Sequence, residues 1–287
     1  MSDTQLIVNA DDFGVSEEVN EGVIRSFREG VLTSCSLMVS GDAFEQAVRL
    51  AKANPRLAVG IHLVAVCGRS VLSPAEIPRL VDREGRFSSN PLTAGIKYYF
   101  SRQARLQLRR ELAAQFEKFQ ATGLPCSHID GHQHFHIHPI IFDSAVRLGR
   151  RFGVNRLRVP EDHLKLALSF DGSRALEKRL YGLIFHLFSR AMKRRLAKEG
   201  FLCTDRVYGF FQTGRMSASY FLRVLEHLEG GRNEIYFHPA YYRDDHALSE
   251  EQRQNFSEYE ALVNPQVFEQ VRQRGIRLTT YRSLGLS

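Results

Sequence analysis

Two adjacent carboxylates, Asp11 and Asp12, close the stretch "QLIVNADDFGVS". A β-branched apolar run bounded by turn residues predicts a short buried strand over Gln5 to Ala10, so two charges at its end need a reason. The plain reason is a solvated loop in which one aspartate caps the next helix. Similar residues close other apolar runs: His62 in "LAVGIHL", Asp130 and His132 in "CSHIDGH", Arg158 in "NRLRVP" and His238 in "EIYFH". Two imidazoles and one carboxylate are a common protein contribution to a catalytic metal, leaving positions open for water and substrate. His62, His132 and one aspartate of the pair supply that set. The other aspartate then stands beside the attacking water, placed to accept its proton as general base. Neighbours can divide these roles because the backbone leaves its regular pleat at a strand end. In this scheme Arg158 keeps the base ionised and oriented, and His238 protonates the leaving group.

Such a set works only if the chain gathers it. The punctuation predicts a helix over Ser16 to Glu29 stopped by Gly30, a strand over Val31 to Val39 and a helix over Asp42 to Ala53. A strand follows over Leu57 to Leu63, then a polar insertion from Gly68 to about Pro91 and a helix over Arg105 to Phe119. "CSHIDGH" reads as a strand up to Ile129, Pro139 to Phe152 as a helix and "NRLRVP" as a strand. Ala175 to Lys198 is a long basic helix, "EIYFH" a strand, and Pro265 to Arg274 with "IRLTTY" a last helix and strand. This alternation argues for an α/β fold with parallel strands and crossover helices, either a barrel or an open wound sheet. Both put chemistry beyond the carboxyl ends of the strands. Asp11 with Asp12, His62, Asp130 with His132, Arg158 and His238 fall at five such ends and are expected on one rim.

"SHIDGHQHFHIHP" holds more imidazoles than that site needs. In an extended segment, alternation would put several of His128, His132, His134, His136 and His138 on one face. Only His132, nearest the strand end, is taken as a ligand. His128, His136 and His138 are read as structural, and His134 is left without a role. Asp130 is expected to hold a ligating imidazole from behind, as carboxylates commonly do.

Composition narrows the class. The 287 residues are enough for a full core, and no stretch approaches a membrane span or a secretory leader, so the expected address is the cytoplasm. Cys35, Cys67, Cys126 and Cys203 lie far apart without a CxxC pair, which indicates neither a disulfide framework nor a cysteine zinc site. The net charge of +7 is gathered, mainly in Arg102 to Arg110 and Lys178 to Lys198. No nucleic-acid motif accompanies it, so no nucleic-acid partner is expected.

Taken in order, "LIVNADDFG", "VGIHLV", "HIDGHQHFH", "RLRVP" and "EIYFHPAY" resemble the YdjC-like carbohydrate deacetylase family, relatives of the polysaccharide deacetylases. The resemblance runs along most of the chain. It implies a single metal-dependent domain over 1–287, a distorted or incomplete TIM-type (β/α) barrel with insertions near 68–104 and 161–205. The implied reaction removes the N-acetyl group from an N-acetylglucosamine-type amino sugar with one divalent metal ion, Mg or Zn first and Mn or Co next. Carried onto this chain, the resemblance makes Asp11 the base and Asp12, His62 and His132 the ligands. Arg158 and His238 take their roles by looser analogy.

"GIHLVAVCGRSVLSPAEIPRLVDREGRF" and "IKYYFSRQARLQLRRELAAQFEKFQATGLP" resemble more narrowly the hopanoid-biosynthesis-associated branch, which implies a glycosylated hopanoid lipid as substrate. "HIDGHQHFH" departs from the Asn-Ala-His-Lys run of that branch. The helix over 175–198 fits a lipid substrate, because Leu176, Leu180, Leu183, Ile184, Leu187, Met192 and Leu196 form one stripe with most basic residues off it. Such a helix suits peripheral contact at the inner face of a membrane. The plain alternative packs the stripe into the core. Soluble chitooligosaccharides, another ester or phosphate, and a non-catalytic carrier are the competing functional readings, and the sequence leaves the oligomeric state open, a homodimer being one option.

Overall fold

The computed structural model describes residues 4–244 and 247–285. Its first strand, β1 (Thr4–Phe13), is followed by α1 (Glu17–Glu29), β2 (Ser34–Leu37), α2 (Phe44–Ala53) and β3 (Ala58–Leu63). Next come α3 (Pro91–Phe100), α4 (Arg102–Ala121), β4 (Cys126–Gly131), a 3-10 turn (His132–Ile137) and α5 (Pro139–Arg151). The remaining elements are α6 (Leu164–Phe170), α7 (Ala175–Lys198), β5 (Arg206–Tyr208), α8 (Ala218–His227), β6 (Gly231–Phe237), α9 (Glu250–Leu262), α10 (Pro265–Gln273) and β7 (Arg277–Thr279). Among the described residues no helix is long and apolar enough to cross a membrane.

All the paired strands run parallel, in the order β4-β3-β2-β1-β6-β5. β2 and β7 share one edge of β1, β7 beside Gln5 to Ile7 and β2 from Asn9 onward. The sheet must curl. In a flat sheet β4 and β6 would lie about 19 Å apart, four strand spacings. Yet one guanidinium, that of Arg158, lies 3.0 Å from Asp130 of β4 and 2.7 Å from Glu234 of β6. Beyond β4 the backbone at Leu157 bridges to Ile129, and Arg156 to Leu202. At the far end the Val207 N–H of β5 donates to the Glu161 carbonyl. The two edges therefore meet through irregular backbone, which makes an incomplete, distorted barrel of the expected class. Both faces of β1 are buried: Leu6 and Val8 join the main core, and Ile7 packs with Tyr281 and Leu284 in a smaller cluster.

Several sequence expectations are revised. "NRLRVP" forms only isolated bridges rather than a strand, because Pro160 ends the pairing after Arg158. The segment after His132 is a 3-10 turn with left-handed Gln133 and His134, both at φ 53°, so its histidines do not line one face. Ten residues of the insertion fold as α3, and α4 starts three residues before Arg105. The long basic helix does not bury its stripe as a core helix would. Met192 and Leu196 are buried, but Leu176, Leu180, Leu183, Ile184 and Leu187 face solvent.

Candidate active site

Strand register gathers the chemistry. Ala10 pairs with Phe237, so Asp11 and His238 follow on adjacent strands. His62 pairs with Asp130 directly, and the bridge of Ile129 to Leu157 sets Arg158 beside Asp130. A bulge then separates the two aspartates: Ala10 pairs with Cys35 and Phe13 with Leu37, which leaves one extra residue on β1. Asp12 takes the left-handed conformation, φ 61°, and Gly14 turns the chain out at φ 99°, where a Cβ would lie 3.0 Å from the Met38 carbonyl oxygen. Ser16 caps α1 by accepting from the Val19 N–H, so capping falls to the serine and not to either aspartate.

Asp11 points into the barrel. Arg158 Nη1 donates to its Oδ2 at 2.7 Å and Nη2 to its Oδ1 at 2.8 Å, while Asn9 Nδ2 donates to Oδ1 at 2.8 Å. Burial would push this carboxyl up, and the Arg158 guanidinium outweighs it, so the group is held below its ordinary value. Arg158 is 0% exposed and also donates to Glu234 Oε1 through Nε and Nη2. Glu234 in turn accepts from the Tyr281 hydroxyl. One cation therefore faces three buried carboxylates, an arrangement that orients all of them.

Asp12 reaches the same cluster nearer the rim, its side chain 17% exposed against 4% for Asp11. Its Oδ1 lies 2.8 Å from His132 Nδ1 and 3.2 Å from His62 Nε2. His62 Nδ1 lies 2.8 Å from Asp130 Oδ1. His62 therefore lies between two carboxylates, Asp130 at Nδ1 and Asp12 at Nε2. Burial would lower its pKa, but Asp130 and Asp12 raise it to about 10. Asp130 itself is fixed by the Ser36 hydroxyl at 2.6 Å and by Arg158, and sits well below its ordinary value despite its burial.

Asp12, His62 and His132 offer ligand atoms within 4.8 Å of one another, and so do Asp11, His62 and Asp130. The first trio fits a divalent cation. Its carboxylate and His132 are 17% and 18% exposed, and two imidazole nitrogens converge on one carboxylate oxygen with nothing but protons between them. In the second trio both carboxylates already bond to Arg158, whose positive charge repels a cation. The structure thus brings the residues expected as ligands and as base into one cluster around His62. Asp130 stands behind His62 as expected.

His238 sits at the rim beyond β6, its ring 5.7 Å from that of Tyr236. Burial lowers its pKa, but the Glu258 carboxylate 3.8 Å from Nδ1 brings it up to about 9, so it is cationic at neutral pH. His128 is structural: it lies between Ser127 and Ser36, stacked 4.1 Å from Tyr281, in space that Gly60 leaves open. A Cβ on Gly60 would lie 2.4 Å from that ring. His136 faces the Arg158 carbonyl and His138 that of Gly95, and burial lowers the pKa of both. His134 packs against Tyr236 and Phe210. Asn9, Ser36, Glu234, Tyr281 and Glu258 were not singled out in the sequence. Strand alternation carried a signal for two of them, since Asn9 shares a face with Asp11, and Glu234 with His238.

Known proteins resemble this chain along nearly its whole length. The family model for YdjC-like protein matches residues 5–273. A carbohydrate deacetylase of Brevibacillus brevis is 34% identical over 284 residues, covering 98% of this chain and 100% of its own. A chitooligosaccharide deacetylase of Proteus mirabilis is 29% identical over 286 residues, covering 97% and 98%. A crystal structure of an Enterococcus faecalis V583 protein, described as a candidate cellobiose-phosphate cleavage protein, superposes with a TM-score of 0.73 at 26% identity, covering 99% of both chains.

Proposed function

The chain belongs to the YdjC-like protein family, and on that premise we propose that it is a carbohydrate deacetylase that hydrolyses the N-acetyl group of an N-acetylglucosamine-type amino sugar with one divalent cation. The observation that carries the reading is the split pair: Asp12 facing His62 and His132, and Asp11 gripped by Arg158 next to it. Asp12, His62 and His132 would hold a divalent cation, which would supply Lewis-acid polarisation of the acetamide carbonyl and would make water more acidic. Asp11 accepts the proton of the attacking water, and the Arg158 fork fixes the carboxylate in place and keeps it ionised until then. His238, cationic through Glu258, gives a proton to the departing sugar nitrogen. Asp130 holds His62 by Nδ1 so that Nε2 stays turned toward Asp12.

A lipid-carried amino sugar is the finer reading. It is supported by the outward-facing apolar stripe of α7, which a soluble chitooligosaccharide does not require. Acetate release should be measured on an N-acetylglucosaminyl hopanoid beside soluble chitobiose, each with and without a chelator. Acetate from at least one substrate, lost on chelation and restored by a divalent metal, is the expected result. No acetate from either would overturn the reading in favour of a metallohydrolase of another ester or phosphate.

A further inference from the structure

The apolar surface this protein leaves in water is concentrated on two helices. Of 15 large hydrophobic side chains exposed among the described residues, 11 lie on α3 and α7. α3 shows Leu92, Ile96, Tyr99 and Phe100, and α7 shows Leu176, Leu180, Leu183, Ile184 and Leu187, each set at the i, i+4, i+7, i+8 spacing of a single helix face. Leu176 is 83% exposed and Phe100 75%. A monomer rarely keeps such faces open without a partner.

Both helices border the candidate active site. α3 packs through Tyr98 on Phe135 and accepts at the Gly95 carbonyl from His138, in and just after the turn that begins with His132. α7 packs through Phe185 on Phe210, which touches the ring of His134 in the same turn. Beside α7 runs a groove of about 620 Å³, lined by Leu164, Leu183, Phe185 and Phe210 together with charged residues that include Asp162 and Arg179.

Charge decides between occupants. α3 and α7 together carry one acidic side chain, Glu177, against eight lysines and arginines, and Glu177 is paired with Arg174. Arg190, Arg194 and Lys198 continue the α7 apolar face toward its C-terminus, exposed and without an ion pair among the described residues. A second copy would set this cationic face against itself, because a two-fold interface repeats one patch on both sides. An anionic bilayer offers the opposite charge beside an apolar interior.

We propose that α3 and α7 form a docking surface for anionic lipid bilayers at the rim of the active site, with their leucine and aromatic stripes in the interface and the α7 cations on the headgroups. The inference rests on the deacetylase reading only in taking that rim as the substrate entrance, so its test uses binding and not turnover. The full chain is sedimented with phosphatidylcholine vesicles and with vesicles that also contain phosphatidylglycerol. Binding should be at least tenfold tighter on the anionic vesicles and should weaken as salt is raised. Leu180→Ser/Leu183→Ser/Leu187→Ser on α7, and separately Ile96→Ser/Phe100→Ser on α3, should each lower partitioning by at least tenfold. Both sets are exposed, so fold and turnover of soluble chitobiose should be unchanged. Absence of binding to either vesicle, or binding indifferent to both variants, overturns the proposal. Loss with the α7 variant alone overturns the two-helix surface. A dimer of the wild-type chain that the α7 variant makes monomeric also overturns it, by giving the face to a second copy. Failure to release acetate from any sugar would leave the vesicle result standing.

Discussion

Asp11→Asn separates the base from the ligand set. The asparagine keeps the shape of the side chain and the bond from Asn9, but it must turn an NH2 toward one of the two Arg158 nitrogens that now lie 2.7 and 2.8 Å from the carboxylate. At least one charge-assisted bond is lost, which costs about 2 kcal/mol, and relief of repulsion between Asp11 and Asp130 returns part of it. Against a total stability of about 5 to 15 kcal/mol this leaves nearly every molecule folded at 25 °C. The rate consequence is larger. Removing a general base lowers turnover by about 10² to 10⁴, equivalent to about 3 to 5 kcal/mol in the barrier. Unfolding of the variant is too small an effect to imitate that loss. The variant should therefore bind one divalent metal ion per chain as tightly as the wild type, melt only a few degrees lower and release acetate at least 100-fold more slowly. Metal content of the purified proteins, a thermal melt and a coupled acetate assay report the three quantities. A turnover within threefold of wild type, or loss of metal together with activity, would refute the division of roles.

Arg158→Met leaves Asp11, Asp130 and Glu234 without their shared cation and should destabilise the fold by about 3 to 5 kcal/mol in denaturant titrations. Arg158→Lys should recover little of this, because an ammonium cannot bond three carboxylates in one plane. Metal uptake at pH 7 should release about one proton, since His62 is protonated up to about pH 10 and must give up its Nε2 proton to become a ligand. Calorimetry in buffers of different ionisation enthalpy measures that proton, and affinity should rise roughly tenfold per pH unit below that value. Turnover should fall as pH rises through about 9, where His238 loses its proton, and Glu258→Gln should move that fall to lower pH because the carboxylate is what raises the imidazole. A pH profile of kcat for the two proteins checks the sign.

The part of the site that lay open in the sequence was the part set by strand ends. Asp11, His62, Asp130, Arg158 and His238 each end or follow an apolar run, and parallel register is enough to bring such positions to one rim. The inward role of Glu234 was hidden because a charged residue inside "NEIYF" counts as a break in the pattern until a counter-ion from another strand is known. The left-handed backbone at Asp12, Gln133 and His134 was hidden for a different reason, since residues other than glycine adopt that conformation too seldom for the sequence to announce it. For α7 the periodicity revealed a stripe without revealing what covers it. Burial belongs to tertiary packing, and Met192 and Leu196 found the core while Leu176 to Leu187 did not.

The bulge at Asp11 and Asp12 does more than turn a side chain. In a regular pleat the two carboxylates would alternate, one into the barrel and one away from it, and only one would reach the interior. With one extra residue on β1 both reach the interior, at different depths and in different fields. The deeper field is set by Arg158. At an effective dielectric near 20, like unit charges about 4 Å apart repel by about 4 kcal/mol, and a divalent ion doubles that. The guanidinium bonded to both Asp11 and Asp130 opposes a cation there, although their oxygens and His62 are near enough to one another to hold it. The same charge leaves Asp11 ionised and free to take a proton. Asp12, which has no bond to Arg158 and whose partners are two imidazoles, is left as the carboxylate through which a cation can enter. In the proposed mechanism it is therefore the arginine that divides the two neighbouring aspartates into base and ligand.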